Sequence, residues 1–179
     1  MRNVRRIVTG HNEQNRSTVL FDGPPPRGAG MAAELWATDQ VPADNSGSGE
    51  ATERPMRLGP PPQGSLFRYF EVHPESAMAA MDEVTRRTVV SNMFAAIGAA
   101  DALVDTTRHA MMHKTHTVDY VVVLSGHVTL LLDDGEVDLE PLDAVVQRGT
   151  NHAWINRGTQ PALLAVCMLP AEDGTPVSK

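Results

Sequence analysis

From residue 109 onward the chain is a succession of short apolar segments, each closed by a turn. The turns contain glycine, proline or aspartate, as at Gly126, Gly135, Pro141 and Gly149. Short segments with a turn signal every few residues predict antiparallel strands in a sandwich or a small barrel. We predict strands at residues 121–124, 127–132, 137–139, 144–147, 152–156 and 162–169. No internal repeat is visible, so the pattern favours one barrel rather than two.

The residues before position 109 predict a different organisation. Short strands are expected at residues 6–9, 18–21, 34–38 and 65–72, and the third of these is alternatively an aromatic plug. Residues 41–64 are rich in Pro, Gly, Ser and charge, which favours a mobile surface loop. In residues 76–103, Val90, Phe94 and Ile97 fall at helical spacing, which predicts one or two short helices broken near Gly98. We interpret this apolar stripe as packing against the barrel or a subunit, and a helix here could also roof a pocket.

All of these elements are expected to belong to one domain, because 179 residues suffice to bury one core. Residues 1–75 would supply the N-terminal strands and the long flexible loop that pack on the barrel. Residues 76–108 would form the helical insertion, residues 109–170 the core motifs, and residues 171–179 a disordered tail.

Composition excludes several classes of function. The net charge of −7 argues against a nucleic-acid surface, which needs a basic stripe. No stretch is long and apolar enough to span a bilayer, and the N-terminus has no apolar signal segment. The single cysteine, Cys167, cannot form an internal disulfide. These observations predict a cytoplasmic protein without a nucleic-acid or membrane partner.

Four polar residues in two separate segments form the candidate site. Because residues two apart on a strand share a face, His113 and Thr115 are expected to point together into the barrel. A short turn or bulge then brings Asp119 to the same interior, and the turn at Gly149 places His152 opposite. His116 is out of register by one residue and is expected to face away.

The two segments resemble the paired motifs of the cupin superfamily, in its RmlC-like single-domain form. One branch has a His-x-Thr-x-Thr-x-Asp-Tyr first motif, matched by residues 113–120, and a Gln-Arg-Gly-Thr-x-His-x-Trp-x-Asn second motif, matched by residues 147–156. Residues 5–11 and 34–39 also resemble that branch, so the resemblance runs from about residue 5 to 169. Leu142 departs from it, because a turn glycine is usual there. The resemblance implies an all-β, double-stranded β-helix (a jelly-roll barrel) with a short helical insertion before the first motif, and a homodimer.

The resemblance also implies a site for one divalent metal ion, Fe, Mn, Ni or Zn, and no organic cofactor. In a typical cupin the four interior positions surround that ion. In this chain Thr115 replaces a histidine, and Asp119 replaces a glutamate with a side chain one methylene shorter. His113, Asp119 and His152 remain as the possible metal ligands, a set of two histidines and one carboxylate.

Two structural alternatives stay open for these residues. In one, Asp119 hydrogen-bonds Thr115 or Thr117 and fixes the turn. In the other, His152 satisfies backbone groups beside Trp154 and Asn156.

The resemblance favours an enzyme that acts on a small organic acid, aromatic or polyketide-like metabolite inside the barrel. With a metal, His113, Asp119 and His152 would hold the ion in a dioxygenase, lyase or isomerase. Without one, His113 and Asp119 would act as base and acid, while Thr115 and His152 orient the substrate. The candidate substrate-binding residues are Tyr120, Gln147 and Trp154 in the walls and His109 at the barrel mouth; strand parity also allows Tyr120 to face outward. The alternative function is a non-catalytic cupin that binds a small molecule.

Overall fold

The computed structural model describes residues 4–26 and 31–172. It contains ten strands and one α-helix within these residues. The strands are β1 (Arg6–His11), β2 (Ser17–Gly23), β3 (Ala32–Thr38), β4 (Ser65–Val72), β5 (Thr117–Ser125), β6 (Val128–Leu132), β7 (Glu136–Leu139), β8 (Ala144–Arg148), β9 (His152–Ile155) and β10 (Ala162–Pro170). The helix α1 spans Glu83–Ala96, between short 3-10 turns at Glu75–Met78 and Ala100–Ala102. From residue 173 the predicted tail lies outside the described residues.

The strands form three antiparallel sheets. The large sheet has the order β3-β4-β10-β5-β8, the small sheet has the order β7-β6-β9, and β1 pairs with β2 as a separate hairpin. Neighbours that are distant in sequence, such as β4 and β10, are typical of a jelly roll rather than a simple meander. This architecture confirms the all-β jelly-roll fold.

The core lies between the large and small sheets. Alternate residues of β5, including Val121 and Val123, pack with alternate residues of β10, including Leu164 and Val166, and against Leu130 of the small sheet. Every second residue of a strand faces the same way, so each apolar set is buried while its neighbours face outward. A polar residue in the same alternation as Val121 must therefore enter the same interior, and this decides the position of Asp119.

Helix α1 begins at a side-chain cap and covers one end of the small sheet. The Asp82 carboxylate accepts a hydrogen bond from the Thr85 backbone N–H at 2.7 Å, an N-cap that satisfies a free donor of the first turn. Val90 and Phe94, four residues apart, are both buried. They form a second cluster with Ala99, Ala102 and Ala110, separate from the core between the sheets. The helical pattern in the sequence therefore reflects packing, as the predicted stripe implied.

The predicted surface loop at residues 41–64 contains no helix or strand, and part of it is anchored. Glu50 accepts two hydrogen bonds from the Arg6 guanidinium, at 2.5 and 2.8 Å, and Arg6 also donates to the Leu35 carbonyl. The hydrogen bonds from Arg6 lower the pKa of Glu50 to about 2. Thr52, which donates to Glu50, is fully buried. These contacts tie the N-terminal hairpin, the loop and the large sheet together.

The backbone next to the first motif requires glycine at position 149. Gly149 has φ +60°, and a Cβ there would lie 2.9 Å from the Thr115 carbonyl oxygen. Any other residue at position 149 would have an unfavourable left-handed backbone conformation, and its Cβ would displace the segment that carries Thr115. The turn before β9 is therefore held close against the first motif.

A second turn has an unfavourable residue. Leu142 has φ +81°, its side chain is 85% exposed, and its backbone N–H donates to the Val123 carbonyl at 2.8 Å. The left-handed region costs a residue with a Cβ about 1–2 kcal/mol. Since the exposed side chain contributes little burial, that cost is not offset locally.

None of the described helices has the length and apolar character needed to cross a membrane.

We expect Leu142→Gly to raise the free energy of unfolding by about 1 kcal/mol, because glycine removes the left-handed strain at a smaller entropic cost. Urea unfolding followed by circular dichroism measures the change. Leu142→Ala is the matched control, since alanine keeps the Cβ and the strain. Equal stabilisation by both substitutions would show that the leucine side chain, and not its backbone conformation, is unfavourable.

Candidate functional site

The two motif histidines meet in the structure. His113 and His152 form an antiparallel bridge: the His113 N–H donates to the His152 carbonyl at 2.8 Å, and the His152 N–H returns a bond of 2.9 Å. Their ring centroids lie 4.3 Å apart. The bridge extends the small sheet by one position beyond β9, so the backbone itself holds the imidazoles side by side.

Backbone carbonyls fix the tautomer of both rings. His113 Nδ1 lies 2.9 Å from the Met111 carbonyl oxygen, and His152 Nδ1 lies 2.9 Å from that of Thr150. Because a carbonyl oxygen only accepts, each Nδ1 carries the proton and donates it. Each Nε2 therefore keeps its lone pair and can accept a hydrogen bond from a substrate donor.

Burial keeps both imidazoles neutral. Desolvation lowers the pKa of His113, and it lowers the pKa of His152 to about 3, with a further contribution from the nearby His113. Charging either ring would place a cation in a low-dielectric interior, 4.3 Å from its neighbour's ring. At neutral pH the pair therefore accepts hydrogen bonds rather than donating through Nε2.

Aromatic rings enclose the histidine pair. Phe94 of α1 packs 5.1 Å from the His113 ring, and Trp154 packs 5.8 Å from His152 in an edge-on arrangement. Trp154 also meets Phe70 of β4, at 6.3 Å across the barrel. The helix thus covers one histidine, while Trp154 and Phe70 continue the wall toward the large sheet.

Asp119 enters the barrel from the facing sheet. It is 5% exposed and lies on the same face of β5 as Val121. Desolvation raises its pKa to about 6, against the lowering effects of a Thr117 hydrogen bond and the positive charge of Arg68. A carboxyl group with a pKa near neutrality can both take and return a proton.

Two threonine hydroxyls connect Asp119 to the surface. The Thr115 and Thr117 hydroxyls are 2.7 Å apart and buried, and Thr117 is bonded in turn to Asp119. Both threonines line an open cleft of about 390 Å³ at the start of β5. Thr115, predicted to orient a substrate, is placed at the junction of this cleft and the barrel interior. The structural alternative in which Asp119 hydrogen-bonds Thr117 is therefore observed. Asp119 is also inside the barrel, as the site prediction required.

The three predicted metal ligands do not come together. Among residues 4–26 and 31–172, no three His, Cys, Asp or Glu side chains converge closely enough to hold a metal ion. His113 and His152 offer two nitrogen donors, whereas a catalytic divalent ion usually has three protein ligands. The described residues thus do not assemble the predicted triad with Asp119.

The other predicted site residues have different surroundings. Gln147 is buried opposite Asp119, and its amide donates to the carbonyl and hydroxyl of Thr150. His109 uses both ring nitrogens outside the pair, one with Glu75 at 3.0 Å and one as acceptor from the Met111 N–H. Tyr120 is 52% exposed on the outer face of β5 and does not line the interior. The correction follows from strand alternation, since both its neighbours face inward.

Two charged residues on the interior were missed in the sequence. Arg68 of β4 and Glu34 of β3 are 6% and 2% exposed, respectively, and their side chains pair at 3.2 Å. Leu66, Arg68 and Phe70 occupy alternate positions of one strand, and this alternation was the available signal. Relating Arg68 to Asp119 also needs the strand order, because β10 lies between β4 and β5.

Comparisons with known proteins agree with this architecture. Residues 104–168 match the family model for the cupin domain. Phomopsin biosynthesis cluster protein C′ of Diaporthe leptostromiformis is 53% identical over 49 residues, 27% of this chain and 26% of that protein. A cupin-domain-containing oxidoreductase of Aspergillus ruber is 38% identical over 66 residues, 35% of this chain and 32% of the relative. The aligned part therefore spans only about a quarter to a third of these relatives.

Among solved structures, a Cupin 2 conserved barrel domain protein of Salinispora arenicola is similar to 66% of this chain, over 72% of its own length. The two are 13% identical with a TM-score of 0.37, which adds no argument about the site. The family match covers both motifs, from the segment before His113 to the end of the barrel core. Residues 104–168, which include both motifs, therefore form a cupin domain.

Proposed function

We propose that this cupin is an enzyme of small-molecule metabolism that transfers a proton in the barrel interior. The observation that carries the proposal is Asp119, a buried carboxyl group whose pKa burial raises to about 6. General acid–base catalysis is most efficient when the pKa of the catalytic group lies near the working pH. A lyase or isomerase step on a carbonyl or hydroxyl compound is the reaction class that needs such a group.

The roles of the side chains follow from their protonation states. Asp119 takes a proton from the substrate and returns it, with His113 as its partner in the exchange. His152 and His113 each present an unprotonated Nε2, which accepts a hydrogen bond from a donor group of the substrate and fixes its orientation. Thr115 and Thr117 link Asp119 to the cleft at the start of β5, which gives the proton a path to water.

The relatives support a role in metabolism. Two aligned proteins of Diaporthe leptostromiformis are described as phomopsin biosynthesis cluster proteins, and two others as cupin-domain-containing oxidoreductases. We extend only the metabolic context to this chain. Two further versions compete with the acid–base one: a metal-assisted enzyme that uses the two imidazoles, and a binder without turnover.

We expect His113→Ala and His152→Ala to lower proton exchange at least about a hundredfold, the scale of a lost acid–base or positioning group. The measurement is deuterium incorporation from D2O into a panel of small ketones, hydroxyketones and organic acids, followed by NMR. Exchange reports proton abstraction even where no net product accumulates. Circular dichroism checks that the variants fold.

The matched control is His127→Ala, because His127 is exposed and matches neither motif. If a panel compound binds but shows neither proton exchange nor product, the protein is a binder without turnover and not an enzyme. Elemental analysis of protein purified without chelator is expected to find less than one metal ion per chain. Stoichiometric metal that is lost in both histidine variants would favour the metal-assisted enzyme.

The raised pKa of Asp119 also predicts a pH dependence of stability. The folded protein disfavours the charged carboxylate, so this contribution is fully present below the ordinary pKa of 3.8 and is lost as pH rises through about 6. The difference corresponds to about 3 kcal/mol. We expect Asp119→Asn to become more stable relative to the wild type as pH increases from 4 to 8. Urea unfolding measures this, with the exposed Asp134→Asn as control, and an unchanged difference would contradict the buried, raised carboxyl.

We also propose a homodimer that packs through the outer face of the large sheet. This face carries exposed apolar side chains on β4, β5 and β8, with exposed fractions of 40% for Phe67, 52% for Tyr120 and 58% for Val146. Contiguous apolar surface of this kind is typical of interaction sites.

We expect Val146→Glu to convert the dimer to a monomer, because it buries a charge at the interface. Light scattering after size-exclusion chromatography measures the mass. Val137→Glu is the control, since Val137 is 51% exposed but lies on the small sheet. An unchanged mass for Val146→Glu, or a monomeric wild type, would remove this interface.

A further inference from the structure

Arg68 is a buried arginine of the large sheet with one donor that its protein contacts do not use. It projects from β4 into the barrel interior, on the same face as Leu66 and Phe70, and is 6% exposed. Its Nη2 donates to Glu34 Oε1 at 3.2 Å and to the Arg57 carbonyl at 2.5 Å. Its Nε has no acceptor among the residues that the structure describes. One edge of this buried guanidinium is thus held and oriented, while a donor remains unused.

Asp119 has an unused hydrogen-bond acceptor in the same interior. One carboxylate oxygen is engaged by Thr117, and the other, Oδ1, is buried without a donor in the described part of the chain. Burial lowers the pKa of Arg68, while the negative charges of Glu34 and Asp119 raise it, so the three groups belong to one buried interior. An unused donor and an unused acceptor therefore face one interior. A buried polar group that stays unpaired is unfavourable.

Charge decides which kind of ligand fits these two groups. Two carboxyl groups, Glu34 and Asp119, already surround one guanidinium. An added anion would bring a third acidic group into a low-dielectric interior against one positive charge, which is unfavourable. A neutral group with one acceptor and one donor satisfies both unused atoms and adds no charge.

The neighbouring wall is aromatic. Phe70 lies two residues beyond Arg68 on the same face of β4, a separation of about 7 Å along a strand. Its ring meets Trp154 at 6.3 Å, and Trp154 leads on to His152 at 5.8 Å. Both Phe70 and Trp154 are only partly buried. A flat apolar body attached to the polar group would lie along this wall and reach the histidine pair.

We propose that Arg68 and Asp119 bind the neutral hydroxycarbonyl group of an aromatic or otherwise flat substrate. The carbonyl oxygen accepts from Arg68 Nε, and the hydroxyl donates to Asp119 Oδ1. This assignment rests on the proposed function, since it gives the substrate class of the same interior. It adds Arg68 as a substrate-binding residue and makes a neutral ketone, rather than a carboxylate, the preferred ligand.

Three related probes test the chemistry on the wild-type protein. α-Hydroxyacetophenone carries the carbonyl and the hydroxyl, acetophenone lacks the hydroxyl, and mandelate replaces the ketone by a carboxylate. In mildly alkaline buffer we expect the hydroxyketone to bind about tenfold or more tightly than either of the others, the scale of one well-made buried hydrogen bond. Chemical-shift titration by NMR gives the three dissociation constants. Equal or tighter binding of mandelate, or of acetophenone, would overturn the proposal.

The matched substitution is Arg68→Lys, which keeps the positive charge beside Glu34 and removes the Nε donor. We expect it to weaken binding of both the hydroxyketone and acetophenone about tenfold, because the carbonyl oxygen that they share loses its donor. Arg157→Lys is the control, because Arg157 also pairs with a glutamate, Glu136, but at the exposed surface. Unchanged dissociation constants for both ketones in Arg68→Lys would exclude Arg68 as the donor. If that variant does not fold, the order of the three wild-type constants still decides.

The same titration in His152→Ala separates this inference from the proposed function. We expect the variant to keep the hydroxyketone preference while it loses proton exchange. If proton exchange depends on the histidines but the wild type shows no hydroxyketone preference, the proposed enzyme is supported and the Arg68 site is contradicted. If the hydroxyketone preference is found but neither the wild type nor a variant shows proton exchange, the binding site is supported and the enzyme proposal is contradicted.

Discussion

The backbone bridge between His113 and His152 is the constraint on which the candidate site depends. Two reciprocal hydrogen bonds attach the first motif to β9 and bring the rings to 4.3 Å. This attachment needs the close turn at Gly149, where a side chain would meet the Thr115 carbonyl oxygen. Once the segment is fixed, backbone carbonyls set the tautomers, and burial sets the charge. The chemistry of the histidines is therefore a consequence of main-chain geometry.

The remaining polar interior is organised by strand alternation in the large sheet. Thr117 and Asp119 occupy the inward positions that precede Val121, and Arg68 occupies an inward position of β4. Burying these groups is unfavourable, and the structure compensates only part of the cost through Thr117 and Glu34. Interior polar groups that are incompletely paired are characteristic of sites that receive a ligand, since a purely structural network would pair them.

Local patterns in the sequence predicted the elements well and the convergence of side chains poorly. Alternation and turn signals were enough for the barrel, and helical spacing was enough for the burial of Val90 and Phe94. Asp119 was expected inside through a turn or bulge, whereas regular alternation along β5 places it there. They could not supply the separation of Asp119 from the imidazoles, because that distance depends on two sheets packing face to face. Arg68 was missed for a similar reason: its neighbour β10 comes from the other end of the chain. Tyr120 shows the opposite case, where strict alternation would have placed it outside.

The position of Phe94 has a consequence for how the histidine pair meets solvent. Phe94 packs on His113, yet it belongs to the helical cluster and not to the core between the sheets. Clusters of this kind open as separate cooperative units, with a free energy below that of global unfolding. If this cluster opened as such a unit, His113 would be uncovered while the barrel stayed intact, and the stability of the cluster would set how often this occurs. Substitutions outside the motifs, at Ala99 or Ala102, would then alter the frequency of opening without changing any group in the barrel.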